Sequence, residues 1–278
     1  MTLAHHQKRR GGATYLAYPT HCIQRLGGRI AETDFIGHKF IQGVSHPLHF
    51  LSVAYQQPPR LRCMYRTMSE TTDEAVTVSR RVFQELGWPD VVRVDAGLPF
   101  AGRGERSDNK GARSIPQYAA FLLRSTIIPV FGAIRSPWNQ AYVEGSNSVF
   151  GRNFWNKTTF TSMADVDERL AAFNRCSRSY AQWKPWRRTV NPASFVPRIC
   201  FIRKVEEDAR KNKGVVPVAS TLIALPKAYI GLFIFAQWNL KEERLTIYFE
   251  QEQSINVIKS TPFLIHPTSK KRCTDFIA

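Results

Sequence analysis

Residues 127–155, IIPVFGAIRSPWNQAYVEGSNSVFGRNFW, decide how this chain is read. The stretch opens on a short apolar run with the character of a buried strand. It passes through a turn and enters a helix that carries one acidic side chain, Glu144. Val143, Phe150 and Phe154 stand at i, i+7 and i+11, which places them along one face of that helix. Glu144 lies beside the stripe. Its neighbours one and two turns on are Asn147, Ser148, Gly151 and Arg152. A small, polar and basic ridge next to one carboxylate is a surface that a phosphate backbone can approach.

Two more acids share the setting. Asp34 sits in RIAETDFIGHKF and Asp95 in VVRVDAGLPF, each at a predicted strand. Three acids thus follow one another on a strand, a second strand and a helix. The segment SPWNQAYVEGSN sets Pro137, Asn139 and Glu144 in a Pro-x-Asn-x-x-x-x-Glu spacing. On these residues, over roughly positions 29–186, the chain resembles the catalytic core of DDE transposases and retroviral-type integrases, especially bacterial insertion-sequence transposases.

The resemblance implies an α/β fold: a ribonuclease H-like mixed sheet flanked by helices, followed by a small C-terminal β-barrel domain. It implies that Asp34, Asp95 and Glu144 are the catalytic residues and the metal ligands. Asp34 would bridge two Mg²⁺ ions, Asp95 would hold one and Glu144 the other, with Mn²⁺ able to substitute; oxygen donors suit such hard cations. One ion activates water or a 3′-hydroxyl and the other stabilises the leaving oxygen of an in-line displacement at phosphorus. The implied reactions are hydrolysis at an element's end, then attack of its 3′-hydroxyl on target DNA. The implied partners are double-stranded DNA, as element ends and target, and further copies of the chain in at least a dimer.

Asn139, Gln140, Asn147 and Arg152 are the best-placed candidates for DNA contact. Trp138 and Tyr142 read as core aromatics or as rings packed on a sugar or base. Glu32 falls on the same strand face as Asp34 and is expected to support it. Glu105 and Asp108 lie in the glycine-rich loop of residues 97–114, on no regular element. His46 and His49 of HPLH read as turn histidines rather than as a zinc pair. Two details depart from the family: Ala96 follows the second Asp where Asn is common, and Arg152 falls one place beyond the usual basic position. The first is expected to loosen the turn that holds Asp95, the second to weaken phosphate contact.

The bulk numbers agree with a polyanion partner. Thirty-nine basic against 22 acidic residues give a net charge of +17 over 278 residues, spread along the whole chain. Five cysteines without a CxxC pair argue for reduced thiols in an intracellular protein rather than for disulfides or structural zinc, and the resemblance implies a cytoplasmic, nucleoid-associated one. No run approaches the ~18 apolar residues of a membrane span, so no membrane partner is expected.

Taken in order, residues 1–28 form a basic N-terminal arm or linker without Asp or Glu. The catalytic core covers 29–176, with strands near 30–40, 48–55 and 61–67. A helix follows, capped by Thr71 and Glu74 and burying Ala75, Val78, Val82 and Leu86. Further helices start at Pro116 and Ser162. Residues 177–196 read as a linker, 197–260 as the small barrel and 261–278 as a loosely held tail. No pair of helices in the first 30 residues reads as the helix-turn-helix modules of full-length relatives. Two other readings therefore stand beside the transposase: a same-fold nuclease, and a truncated, catalytically impaired remnant that only binds DNA or multimerises.

Overall fold

A computed structural model of the chain describes residues 7–8, 14–15, 18–102, 112–133, 141–187, 191–252 and 254–277. Three strands open the core: β1 (Ile30–Lys39), β2 (Leu48–Tyr55) and β3 (Leu61–Thr67), each with the alternating or continuous apolar pattern of a half- or fully buried strand. They pair as antiparallel neighbours, β1 with β2 and β2 with β3. Helix α2 (Thr72–Leu86) follows the short α1 (Thr20–Gln24), and the Thr71 hydroxyl accepts from the Glu74 amide at its start. The expected residues Ala75, Val78, Val82 and Leu86 are buried, together with Phe83.

The chain returns in β4 (Val91–Val94), parallel to β1. It then runs through the short α3 (Leu98–Ala101) and α4 (Gln117–Arg124) to β5 (Ile128–Phe131), parallel to β4. Tyr118, Phe121 and Leu122 point into the core as expected. Helices α5 (Ala141–Asn153) and α6 (Met163–Tyr180) complete this half, with Ser162 capping α6 through the Asp165 amide. The mixed sheet flanked by helices is therefore present.

Beyond residue 197 the chain departs from expectation. β6 (Arg198–Lys204) pairs in parallel with β5, Val130 opposite Cys200 and Phe131 opposite Phe201. β7 (Glu206–Asp208), β8 (Lys213–Val218) and β9 (Thr221–Leu225) make a separate three-stranded sheet. β10 (Phe233–Asn239), β11 (Arg244–Gln251) and β12 (Ser254–Pro262) then add, antiparallel, onto β6. The result is one nine-stranded sheet in the order β12-β11-β10-β6-β5-β4-β1-β2-β3, in place of a free-standing barrel over 197–260.

The physical reason lies at the edge of the core. β5 is an apolar four-residue strand with every residue buried, so its open edge needs a partner. β6 supplies it. Arg203 fixes the joint by donating to the carbonyls of Phe131, Gly132, Ile202 and Pro217, and burial pulls its pKa down to about 10. One cluster of buried side chains runs from Val82 and Phe121 on the core side to Trp238 and Ile247 on the C-terminal side.

The expected linker and tail are also held in place. Trp183 and Trp186 pack tilted and edge-on against Tyr55, with ring centroids 4.9 and 4.8 Å away, and the Trp183 indole donates to the Leu86 carbonyl. The backbone of Trp186 comes so close to Gly87 (φ +102°) that a Cβ there would sit 2.1 Å from the Trp186 nitrogen. In the tail, Phe263 and Cys273 are buried and Asp275 pairs with Arg124 at 2.7 Å. In the N-terminal arm, α1 docks on β11: Glu250 accepts from the amides of His21 and Cys22. The five cysteines are all free thiols, and only Cys176 is exposed.

Candidate active site

The site begins with strand register. β1 and β4 run parallel with Glu32 opposite Arg93 and Thr33 opposite Val94. One residue further come Asp34, midway along β1, and Asp95, just past the end of β4. Because strand side chains alternate, Glu32 with Arg93 and Asp34 with Asp95 form two successive layers on one face. The lower layer is a neutralised pair: the Arg93 guanidinium lies 2.6 Å from the fully buried Glu32 carboxylate. The upper layer consists of two acids.

Helix α5 brings the third. Its seat on the sheet has three polar fastenings along one face. The Val143 amide donates to Glu32 at 2.9 Å, the Ser52 hydroxyl donates to Ser146 at 3.2 Å, and the Asn147 amide donates to Asp34 at 3.3 Å. Ser52 is the residue opposite Asp34 across the β1–β2 ladder. Below them Phe150 and Phe154 enter an aromatic cluster with Phe50, Trp155, Phe160 and Phe173. With positions 143, 146, 147 and 150 committed to the sheet, Glu144 is left on the flank of the helix, half-buried and near enough to Asp34 to repel it.

Electrostatics register the convergence. The Asp34 carboxyl is pushed up to about 7, by burial first, then by repulsion from Asp95, with a smaller push from Glu144. The hydrogen bond from Asn147 and the Phe35 amide only partly offset these. Burial also raises Asp95 and Glu144. Repulsion from the other two acids is felt at Asp34, the most enclosed. Oxygen donors of which one is repelled by the other two fit a hard divalent cation, which supplies the missing positive charge. The donor set therefore suits Mg²⁺.

The structure also revises several expected roles. Asn147, anticipated as a DNA contact, is turned inward to Asp34, and its own carbonyl oxygen is buried without a hydrogen-bond partner. Arg152 is exposed near the end of α5, and its guanidinium donates weakly to the Ser148 carbonyl. Asn139, Gln140, Glu105 and Asp108 lie outside the described residues. The turn after Asp95 is held despite Ala96, because the Gly97 amide donates to the Asp95 carboxylate at 3.0 Å. A Cβ at Gly97 would stand 2.8 Å from that carboxylate, so Gly97→Ala is expected to displace Asp95 and cut activity about tenfold or more, with little change in Tm. Sequence reading placed Glu32 beside Asp34 but missed its hold on α5, since nothing in the spacing of residues 32 and 143 shows that contact.

No family model and no curated protein matches the chain. Among solved structures, it is similar to a simian T-cell lymphotropic virus intasome in complex with the PP2A regulatory subunit B56 gamma. There the TM-score is 0.45 at 13% identity, covering 84% of each chain. It is also similar to the magnesium-bound HTLV-2 integrase catalytic core domain. The trimeric form gives a TM-score of 0.36 at 14% identity, covering 52% of this chain and 81% of that one. The dimeric form gives 0.34 at 14% identity, covering 51% and 81%. Likenesses this loose do not bear on function. Among the described residues, no helix is long and apolar enough to cross a membrane.

Proposed function

We propose that this chain is a metal-dependent polynucleotidyl transferase that cleaves DNA and joins a 3′-hydroxyl end to target DNA, as in transposition and integration. What supports the reading is that Asp34, Asp95 and Glu144 come from two parallel strands and one helix, and that burial first, then repulsion from Asp95 and a smaller one from Glu144, push the Asp34 carboxyl up to about 7. Buried structural carboxylates usually pair with cations; Asp34 instead has two acids near it.

In this reading the three acids would hold two Mg²⁺ ions, which would supply activation of the attacking oxygen and charge stabilisation of the leaving one. Asn147 holds one oxygen of Asp34, and the Gly97 amide holds one of Asp95. Displacement at phosphorus asks little more of a protein than position and charge neutralisation. The net charge of +17 supports a DNA partner, bound with strong salt dependence. Joining two element ends to one target calls for at least two copies of the chain.

The test is a joining assay with the full chain, a duplex carrying a pre-cut 3′-hydroxyl end, and supercoiled plasmid. Joined product in Mg²⁺ or Mn²⁺, and none in EDTA, is the expected result. Metal-dependent nicking without joining would transfer the site to a nuclease, and neither activity despite DNA binding would leave a DNA-binding remnant.

A further inference from the structure

A second cluster of metal-ligating side chains lies away from the acid trio. It begins with an irregularity in the β1–β2 ladder. Ile36 is opposite Phe50, but Lys39 is opposite Leu48, so β1 carries one residue more than its partner between those pairs. Such a bulge sets two residues against one and re-aims a side chain. Here Gly37 and His38 share the single partner His49. The two imidazoles consequently stand on one side, with ring centroids 4.7 Å apart and planes near perpendicular. Glu70, in the bend between β3 and α2, completes the group: its carboxylate is 3.3 Å from His49 Nδ1 and 3.9 Å from His38 Nε2. One ligand atom from each of the three lies within 4.8 Å of the others.

We propose that His38, His49 and Glu70 form a binding site for a borderline divalent transition-metal ion of the zinc class, separate from the acid trio and independent of the function assigned to it. Metal–nitrogen and metal–oxygen bonds of about 2.0–2.2 Å in a tetrahedron put neighbouring ligand atoms about 3.3–3.6 Å apart. The His49–Glu70 pair already has that spacing. Closing the His38–Glu70 gap needs a movement of about half an ångström by an exposed side chain. Two nitrogens and one oxygen select Zn²⁺, Co²⁺ or Ni²⁺ over Mg²⁺, whereas the all-oxygen trio selects the reverse. His38 is about 13 Å along β1 from Asp34, so the two donor sets do not share an ion. The bound ion would clamp the end of β1, the start of β2 and the entrance to α2, leaving a fourth position for water.

The test uses the full chain stripped with EDTA, with Zn²⁺ as the probe and Co²⁺ as the spectroscopic reporter. Asp34→Asn/Glu144→Gln removes the acid trio from the measurement, and Cys176→Ser removes the exposed thiol. The expected result is one Zn²⁺ per chain in both backgrounds. The Tm should rise by about 5–10 °C at a hundredfold excess over Kd. Tetrahedral Co²⁺ bands should appear. His38→Ala, a change at an exposed side chain compatible with folding, and Glu70→Gln should each weaken Zn²⁺ binding at least tenfold and abolish the Co²⁺ bands. Zn²⁺ bound equally by these two variants, or no Zn²⁺ retained by the otherwise folded chain, would overturn the proposal.

Discussion

Asp34→Asn is expected to abolish joining, by about 10³-fold or more, while making the metal-free protein more stable at neutral pH. The two effects have one cause. Asp34 is the most enclosed of the three acids and the one that the other two repel, so it would be central to holding cations and is penalised without them. The sign follows from proton linkage. In the unfolded chain the carboxyl ionises near pH 4, and in the folded chain near pH 7. Between those values the folded state binds more protons, so stability falls as pH rises from about 4 to about 7 and is then level.

Ionising this carboxyl in the folded chain therefore costs at most about 4 kcal/mol, and partial solvent access reduces the cost to about 2–3 kcal/mol. In EDTA, urea melts of the wild type should show this decline and melts of Asp34→Asn should show it strongly reduced. Saturating Mg²⁺ should restore wild-type stability at pH 7.5. A flat wild-type profile in EDTA would mean that the three carboxyls are not crowded as described.

The second large effect is expected at Glu32, which touches none of the reacting atoms. Its carboxylate ties β4 to α5, taking the Arg93 guanidinium on one side and the Val143 amide on the other, while Gln56 donates to it at 2.7 Å. It thereby links the strand bearing Asp95 and the helix bearing Glu144 to its own strand, which bears Asp34. Glu32→Gln leaves Arg93 buried without its anionic partner, at a cost of about 3–5 kcal/mol. Joining should fall about 10–100-fold at a temperature where the variant remains folded, with the Mn²⁺ requirement shifted to higher concentration. A purely structural role would lower Tm and leave the Mn²⁺ dependence unchanged. In Glu32→Gln/Arg93→Gln the Tm should recover in part and the activity should not, because the charge imbalance is gone while the hold on the start of α5 stays weakened.

Much of the core was legible because its signals are local. β1, β2 and β3 announce themselves by apolar runs broken at Gly43 and at the Pro58-Pro59 step. α2 and α6 announce themselves by their Thr71 and Ser162 caps. The stripe of Val143, Phe150 and Phe154 fixed the face of α5 that packs, and so left Glu144 beside it. What the sequence did not show is pairing between distant segments. The runs in β6, β10 and β11 suit a small barrel as well as an extension of the core sheet. The choice lies in the open edge of β5 and in Arg203, which reaches its carbonyls. Asn147 looked available to DNA because helical spacing does not reveal that Asp34 lies beneath it. The bulge that turns His38 toward His49 is equally invisible in a single strand.

The central claim is that the three acids work as one phosphoryl-transfer site, and Glu144→Gln tests it most directly. Glu144 is half-buried on the flank of α5, so its amide replacement keeps the fastenings at Val143, Ser146 and Asn147 and removes one metal-binding charge. Wild type and Glu144→Gln would be compared in Mn²⁺ for joining of the pre-cut end to supercoiled DNA, with Tm and DNA binding measured alongside. Joined product is expected from the wild type, with a loss of at least about 10²-fold in the variant and unchanged Tm and DNA affinity. Joining by Glu144→Gln at the wild-type rate would contradict the claim.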